Sequence, residues 1–193
     1  ALALLRDALS NLRGVLGDRT ADTPYIRVID DTLQFHLHKD GWLDVAAFTK
    51  ATAPNADVGA LKSALDLYRG EFLAGFSLST APDFEAWLLL QRESSRRAMQ
   101  QAMYRLTTHA LQAGDYAAAQ KTARRQLHLD PYAEEAQRQM LRAMALDGQR
   151  NQALKHYAEY QTLLDEELGV TPDIRTTSLY QRIRDHRLSP AQE

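Results

Sequence analysis

The chain contains no cysteine, which excludes disulfides and thiolate metal sites together. That usage suits a reducing cytoplasm, where the protein is expected to work. No purely apolar run is longer than that of Ala86-Trp87-Leu88-Leu89-Leu90, far short of the roughly 20 residues a membrane span needs. No membrane partner is expected. The formal net charge is only −2, so no global basic signature marks a nucleic-acid binder, and any such contact has to come from a local patch. The 9 glycines are scattered rather than gathered into a phosphate-binding loop. No serine sits in a nucleophile elbow and no HExxH appears. The acidic runs Asp165-Glu166-Glu167 and Glu134-Glu135 read as solvated or cap-region charge, and the 6 histidines are dispersed. No enzyme and no cofactor are expected. The chain opens within a helical pattern, without an initiator Met or a signal sequence, which points to a fragment of a longer protein.

What is present is a repeat. Laid over itself with an offset of 34 residues, the stretch from Met99 to Leu168 brings Ala102 onto Ala136, Gly114 onto Gly148, Ala119 onto Ala153 and Leu129 onto Leu163. This spacing, with Gly between two helical patterns and Ala early in the second, is that of tetratricopeptide-like helical hairpins. Helices approach closely only where a side chain as small as Ala permits, and the turn needs Gly to reach positive φ. The expected hairpins run from a long helix over 83–112 into 115–128, and from 134–147 into 151–168. A terminal helix begins at Thr171-Pro172-Asp173, a cap followed by Pro and an acid at the positive helix end.

Ahead of the repeat, Asp44–Ala51 and Val58–Arg69 read as two further helices, and the turn-rich EFLAGFSLSTAP as a connector. Phe72, Leu73 and Phe76 are expected to plug into the bundle. Arg92, Arg96 and Arg97 read as a solvated face, open to an acidic partner.

The first residues differ in kind. ALALLRDALSNLRGVLGD places Leu2, Leu5, Leu9, Leu12 and Leu16 on one stripe at helical spacing. The opposite face carries Ala3, Asp7, Ser10, Asn11 and Gly14, flanked by Arg6 and Arg13. Two β-rich runs follow, Tyr25–Ile29 and Leu33–His38, around the turn-prone Asp30-Asp31-Thr32. Alternation of Leu33, Phe35 and Leu37 with Gln34, His36 and His38 predicts one buried and one wet face. His36 and His38 offer two imidazoles without a third ligand, short of a metal site. A helix followed at once by such a hairpin is the second half of a winged helix-turn-helix, with the helix in a major groove and the hairpin as wing.

Several separated segments then align with one family. LDLYRGEFLAGF (Leu65–Phe76), Trp87-Leu88 with Arg92-Glu93, GDYAAA, LHLDPYAEEAQRQMLRAMALDGQRNQALKHYAEY and EELGVTPD together resemble the bacterial transcriptional activation domain. That module occurs in regulators similar to the Streptomyces antibiotic regulatory proteins, and the resemblance covers about residues 42 to 185. LLRDALSNLRGVLGD looks like the recognition helix of the OmpR-like winged helix that precedes it there.

The resemblance implies a mainly α protein built as a tetratricopeptide-like helical-hairpin solenoid, with a helix and β-hairpin remnant of a winged helix at its N-terminus. Residues 1–40 would be the C-terminal half of the DNA-binding domain, 41–187 the activation domain and 188–193 a linker or tail. It implies a transcription regulator, an activator by family, whose partners are promoter DNA in the full-length protein, RNA polymerase or another regulator subunit, and a second copy. The candidate contacts to bases or phosphates are Arg6, Ser10, Asn11, Arg13 and Arg27, with Lys39 in the wing. Acids at Asp7 and Asp30-Asp31 would oppose phosphate at this face. The alternative is a protein-binding scaffold or signal-sensing module without DNA binding of its own. It would use a groove among Tyr104, Tyr116, Tyr157 and Arg138.

Overall fold

The computed structural model describes residues 2–30, 32–37 and 41–188. Among them are eight helices and one two-stranded antiparallel sheet, in the order α1 (Leu2–Val15), β1 (Ile26–Ile29), β2 (Thr32–Phe35), α2 (Asp44–Ala51), α3 (Val58–Leu67), α4 (Pro82–Gln112), α5 (Tyr116–Leu129), α6 (Glu134–Leu146), α7 (Arg150–Leu168) and α8 (Ile174–Arg184). They fall into two compact units, Ala1–Ala47 and Phe48–Glu193.

The helical unit is the expected stack of hairpins. Both hairpin turns are made identically, 34 residues apart in sequence. Asp115 N–H bonds the Ala110 carbonyl at 2.9 Å, and Gln149 N–H bonds that of Met144 at 2.9 Å. Gly114 (φ 72°) and Gly148 (φ 75°) take the left-handed conformation that such a helix end requires. Ala102, Ala119, Ala136 and Ala153 are all buried where helices cross. The fourth coincidence has no such role, since Leu129 is exposed and Leu163 only half-buried.

The first hairpin, α4–α5, buries Leu88, Met99, Met103 and Leu106, the last three of them against α2 and α3 through Phe48, Ala51, Leu61 and Ala64. The second, α6–α7, packs Met140, Leu141, Met144 and Tyr157 around Leu179 and Ile183 of α8. Asp57, Asp115 and Asp173 each cap the helix that follows by accepting a backbone N–H. Arginines hold free helix ends from a distance. Arg105 donates to the carbonyls of Ala53 and Ala56, Arg125 to that of Leu65, and Arg150 to that of Ile183.

The expectation that Phe72, Leu73 and Phe76 plug into the bundle is corrected, and two other apolar side chains stay exposed. Ile174 opens α8 pointing outward, 77% exposed, because the cap turn at Asp173 places it on the solvent side. Trp87 remains 44% exposed at the start of α4. It and Phe84 make an aromatic shelf for Phe72 and Phe76 (ring centroids 5.9 and 5.7 Å), so the connector lies over α4 with Leu73 and Phe76 still partly in solvent. Arg92 pins it there through the Phe72 and Leu73 carbonyls at 2.9 and 2.8 Å.

The N-terminal unit departs further. Strands β1 and β2 pair with Ile26 opposite Phe35 and Val28 opposite Leu33, so these four side chains share one face of the hairpin. Ile26 is buried, but Val28, Leu33, Phe35 and Leu37 are exposed, and the buried face predicted for β2 is not buried. Likewise Leu5, Leu12 and Leu16 of the α1 stripe stand in solvent, with Leu9 half-buried. One helix and two strands offer too few surfaces to cover both faces. The side chain of Leu2, and Asp31, His38, Lys39 and residues 189–193, lie outside the described residues.

Candidate nucleic-acid interface

What fixes the N-terminal unit is polar. Helix α1 ends at Gly17 (φ 71°), with Asp18 N–H closing on the Arg13 carbonyl at 2.8 Å. The turn brings the Asp18 carboxylate, itself buried, onto the start of β1. Its two oxygens accept the Tyr25 and Ile26 N–H groups, each at 2.7 Å. From the helix, Arg13 Nη2 donates to the Ile26 carbonyl at 3.2 Å. Both polar groups of Ile26 are therefore tied to the end of α1, and helix and hairpin hold one geometry. Tyr25 and Phe35 stack beside this joint with centroids 5.8 Å apart.

The predicted contact residues separate accordingly. Arg6, Ser10 and Asn11 are exposed on α1. Arg27 is exposed and pairs across the ladder with Gln34, on the hairpin face opposite Val28 and Leu33. Arg13 is half-buried and engaged with the hairpin. Arg19 was not among the candidates, yet its guanidinium bonds both the carbonyl and the hydroxyl of Ser10 at 3.0 Å. Its position after the helix gave no periodic signal. Asp30 makes the hairpin turn with φ 50°, a conformation to which Asp is better suited than most residues.

The residues named for a scaffold groove do not come together as one. Arg138 is only 6% exposed and Tyr157 is buried, while Tyr104 faces solvent. Arg138 instead centres a polar knot that locks α6 to the start of α8. It pairs with Glu135, bonds Thr176 Oγ1 at 3.1 Å and lies 3.9 and 3.8 Å from Glu134 and Asp173. Glu134 in turn accepts the Asp173 N–H at 2.7 Å and the Thr176 hydroxyl. Burial and the nearby Glu134 charge raise the Tyr160 phenol above its ordinary value. Backbone bonding from Arg175 holds the Asp173 carboxylate low. The arginines of α4 are likewise engaged within the chain: Arg96 and Arg97 both grip Glu93. The described residues hold no cluster of His, Asp and Glu able to bind a metal, and no helix among them is long and apolar enough to cross a membrane.

These hairpins, joined by left-handed glycines and closed by a capping helix, define a tetratricopeptide-like helical module preceded by a separate helix–hairpin unit. Comparison with known proteins gives the family. The profile of the bacterial transcriptional activator domain matches residues 42–184, and the chain belongs to that family. No curated protein sequence matches it. Among solved structures, Mycobacterium tuberculosis EmbR in complex with a low-affinity phosphopeptide superposes with a TM-score of 0.73 at 21% identity, over 98% of this chain. The shared fold thus extends through the N-terminal unit. The present chain spans 52% of that protein.

Proposed function

We propose that this chain is part of a DNA-binding transcription regulator in which α1 is the recognition helix and the β1–β2 hairpin the wing. The helical unit is its platform for a second copy, RNA polymerase or another regulator subunit. The observation that carries this reading is the double anchoring of Ile26 by Arg13 and Asp18. It fixes a hairpin at a set angle to a helix whose outward face presents Arg6, Ser10 and Asn11, as a helix in a major groove and a wing on the flanking backbone require. The uncovered apolar faces of α1 and the hairpin support it too, because a winged helix closes them with the helices that precede the recognition helix.

In this arrangement Arg6 and Asn11 are placed to meet base edges, Arg27 meets a phosphate from the wing, and Arg13 positions the wing. The test is a salt-titrated binding assay of the full-length protein on its own promoter, comparing wild type with Arg6→Ala. Binding that weakens with salt, and falls by about 1–3 kcal/mol on loss of a base-reading arginine, supports the assignment. Unchanged affinity in Arg6→Ala and Asn11→Ala would overturn it in favour of a protein-binding role.

A further inference from the structure

Helix α1 has just two basic residues, Arg6 and Arg13, and Arg13 is turned into the hairpin. The middle of the outward face, at Ser10, Asn11 and Gly14, has no cation of its own, and Asp7 sits one turn before it. The chain supplies one from outside the helix. After the reversal at Gly17, Arg19 returns along α1 and lays its guanidinium over this face. Nη2 donates to the Ser10 carbonyl and to Ser10 Oγ, both at 3.0 Å. A Cβ built on Gly14 would lie 3.6, 3.7 and 3.8 Å from Nη2, Cζ and Nε of Arg19. The guanidinium therefore rests against the bare backbone of Gly14, and any side chain longer than alanine's would take its place.

We infer that Arg19 is a phosphate-binding residue of the α1 face, mounted on Ser10 and Gly14 and contacting the DNA backbone beside the groove that α1 enters. This rests on the reading of α1 as a recognition helix. The two bonds to Ser10 use the Nη2 hydrogens and leave Nε–H and Nη1–H₂, on opposite edges of the guanidinium plane, without a described acceptor, each able to donate singly to a phosphate oxygen. Holding the side chain against the helix before DNA arrives removes part of the rotamer cost of binding. It also offsets Asp7, the acid that the outward face otherwise turns toward phosphate.

The experiment uses the full-length protein and a labelled DNA duplex of arbitrary sequence, with affinity measured across a KCl series. Each neutralised phosphate contributes about 0.9 to the slope of log affinity against log salt. Arg19→Ala is expected to lower that slope by about one contact, which narrows the affinity change between 50 and 200 mM salt by roughly three- to fourfold. Arg19→Lys keeps the charge and the slope. Gly14→Leu keeps Arg19 but evicts it from its bed, and is expected to weaken binding while a thermal melt stays at or above wild type, since Leu favours helix over Gly. Salt-dependent wild-type binding with an unchanged slope in Arg19→Ala overturns this inference alone. A wild type without salt-dependent binding overturns the DNA-reading proposal, and this inference with it.

Discussion

The two units carry the same kind of apolar patterning and meet opposite fates. In the helical unit, Met99, Met103 and Leu106 recur at helical spacing along α4 and each ends beneath another helix. In the N-terminal unit, Leu5 and Leu12 recur at the same spacing and remain about half exposed, at 52% and 53%. Periodicity tells which residues share a face; only a partner element decides whether that face is covered. The helical unit has such partners in successive hairpins and seals its ends with α2–α3 and α8. The N-terminal unit is held by polar contacts instead, the clamp of Arg13 and Asp18 on Ile26.

The strongest way to break the stable side of this contrast is Arg138→Ala. The guanidinium is buried and holds Glu134, Glu135, Asp173 and Thr176 around it. Removing it leaves carboxylates packed together without their cation, and breaking a buried pair in this way costs about 3–5 kcal/mol. Urea denaturation should show the loss as a lower midpoint. Loss of order at α8 before the rest would show that the knot fastens that helix in particular. A midpoint shift under about 1 kcal/mol would mean that the carboxylates escape to solvent and the knot is incidental.

A matched pair of leucines sharpens the contrast directly. Leu141→Ala empties a site 1% exposed at the centre of the second hairpin, and the expected cost is about 2–5 kcal/mol. Leu12→Ala in this chain should stay within about 0.5 kcal/mol, as for other surface changes. In the full-length protein the same Leu12→Ala should move toward the core class if preceding helices cover α1. Equal, small effects of Leu12→Ala in both contexts would remove that support for a winged helix.

Much of the helical unit was legible in the sequence, and for identifiable reasons. Gly114 and Gly148 mark left-handed turns that few other residues tolerate, and the alanines at 102, 119, 136 and 153 mark crossings that admit nothing larger. Both constraints are steric and local, so they print directly onto the chain. What was hidden depends on long-range geometry. Arg138 and Tyr157 look like groove residues by type but are buried, because α8 folds back over α6 and α7 from outside the repeat. In the N-terminal unit, the outward position of Arg6, Ser10 and Asn11 was readable from helical periodicity. Arg19 was not, because it reaches the face of α1 across a turn, and periodicity within one element says nothing of a side chain that arrives from another.

The clamp itself is the next test. Asp18→Asn keeps the size but loses the charge that accepts both the Tyr25 and Ile26 N–H groups, and one end of the amide can no longer accept. The expected loss is about 1–3 kcal/mol, confined to the N-terminal unit. It should appear as faster hydrogen exchange at the Ile26 amide, with protection in α6 unchanged. Undiminished protection at Ile26 would show that Arg13 alone suffices to hold the hairpin.

The smallest effect is expected from acid. His156 on α7 lies with Nε2 2.7 Å from Gln137 Oε1, while Gln137 Nε2 donates to the Pro131 carbonyl at 2.9 Å. The amide orientation fixed by Pro131 makes Oε1 the acceptor, so Nε2 carries the proton of a neutral imidazole. Burial lowers the His156 pKa, with Arg124 adding to the shift and Glu159 opposing it. The folded chain thus takes up this proton at lower pH than the unfolded chain. Above the ordinary histidine value of about 6.5 both states are neutral and His156 costs nothing. As pH falls from there toward the depressed folded value, the unfolded state binds more protons and stability declines. Urea midpoints measured near about pH 7.5 and about pH 5.5 should differ more in wild type than in His156→Gln, which cannot titrate. The pH-sensitive part would then lie in the sealed helical unit, where an imidazole is held between helices, and not in the open helix–hairpin unit. Identical pH dependence in the two proteins would place the acid sensitivity elsewhere.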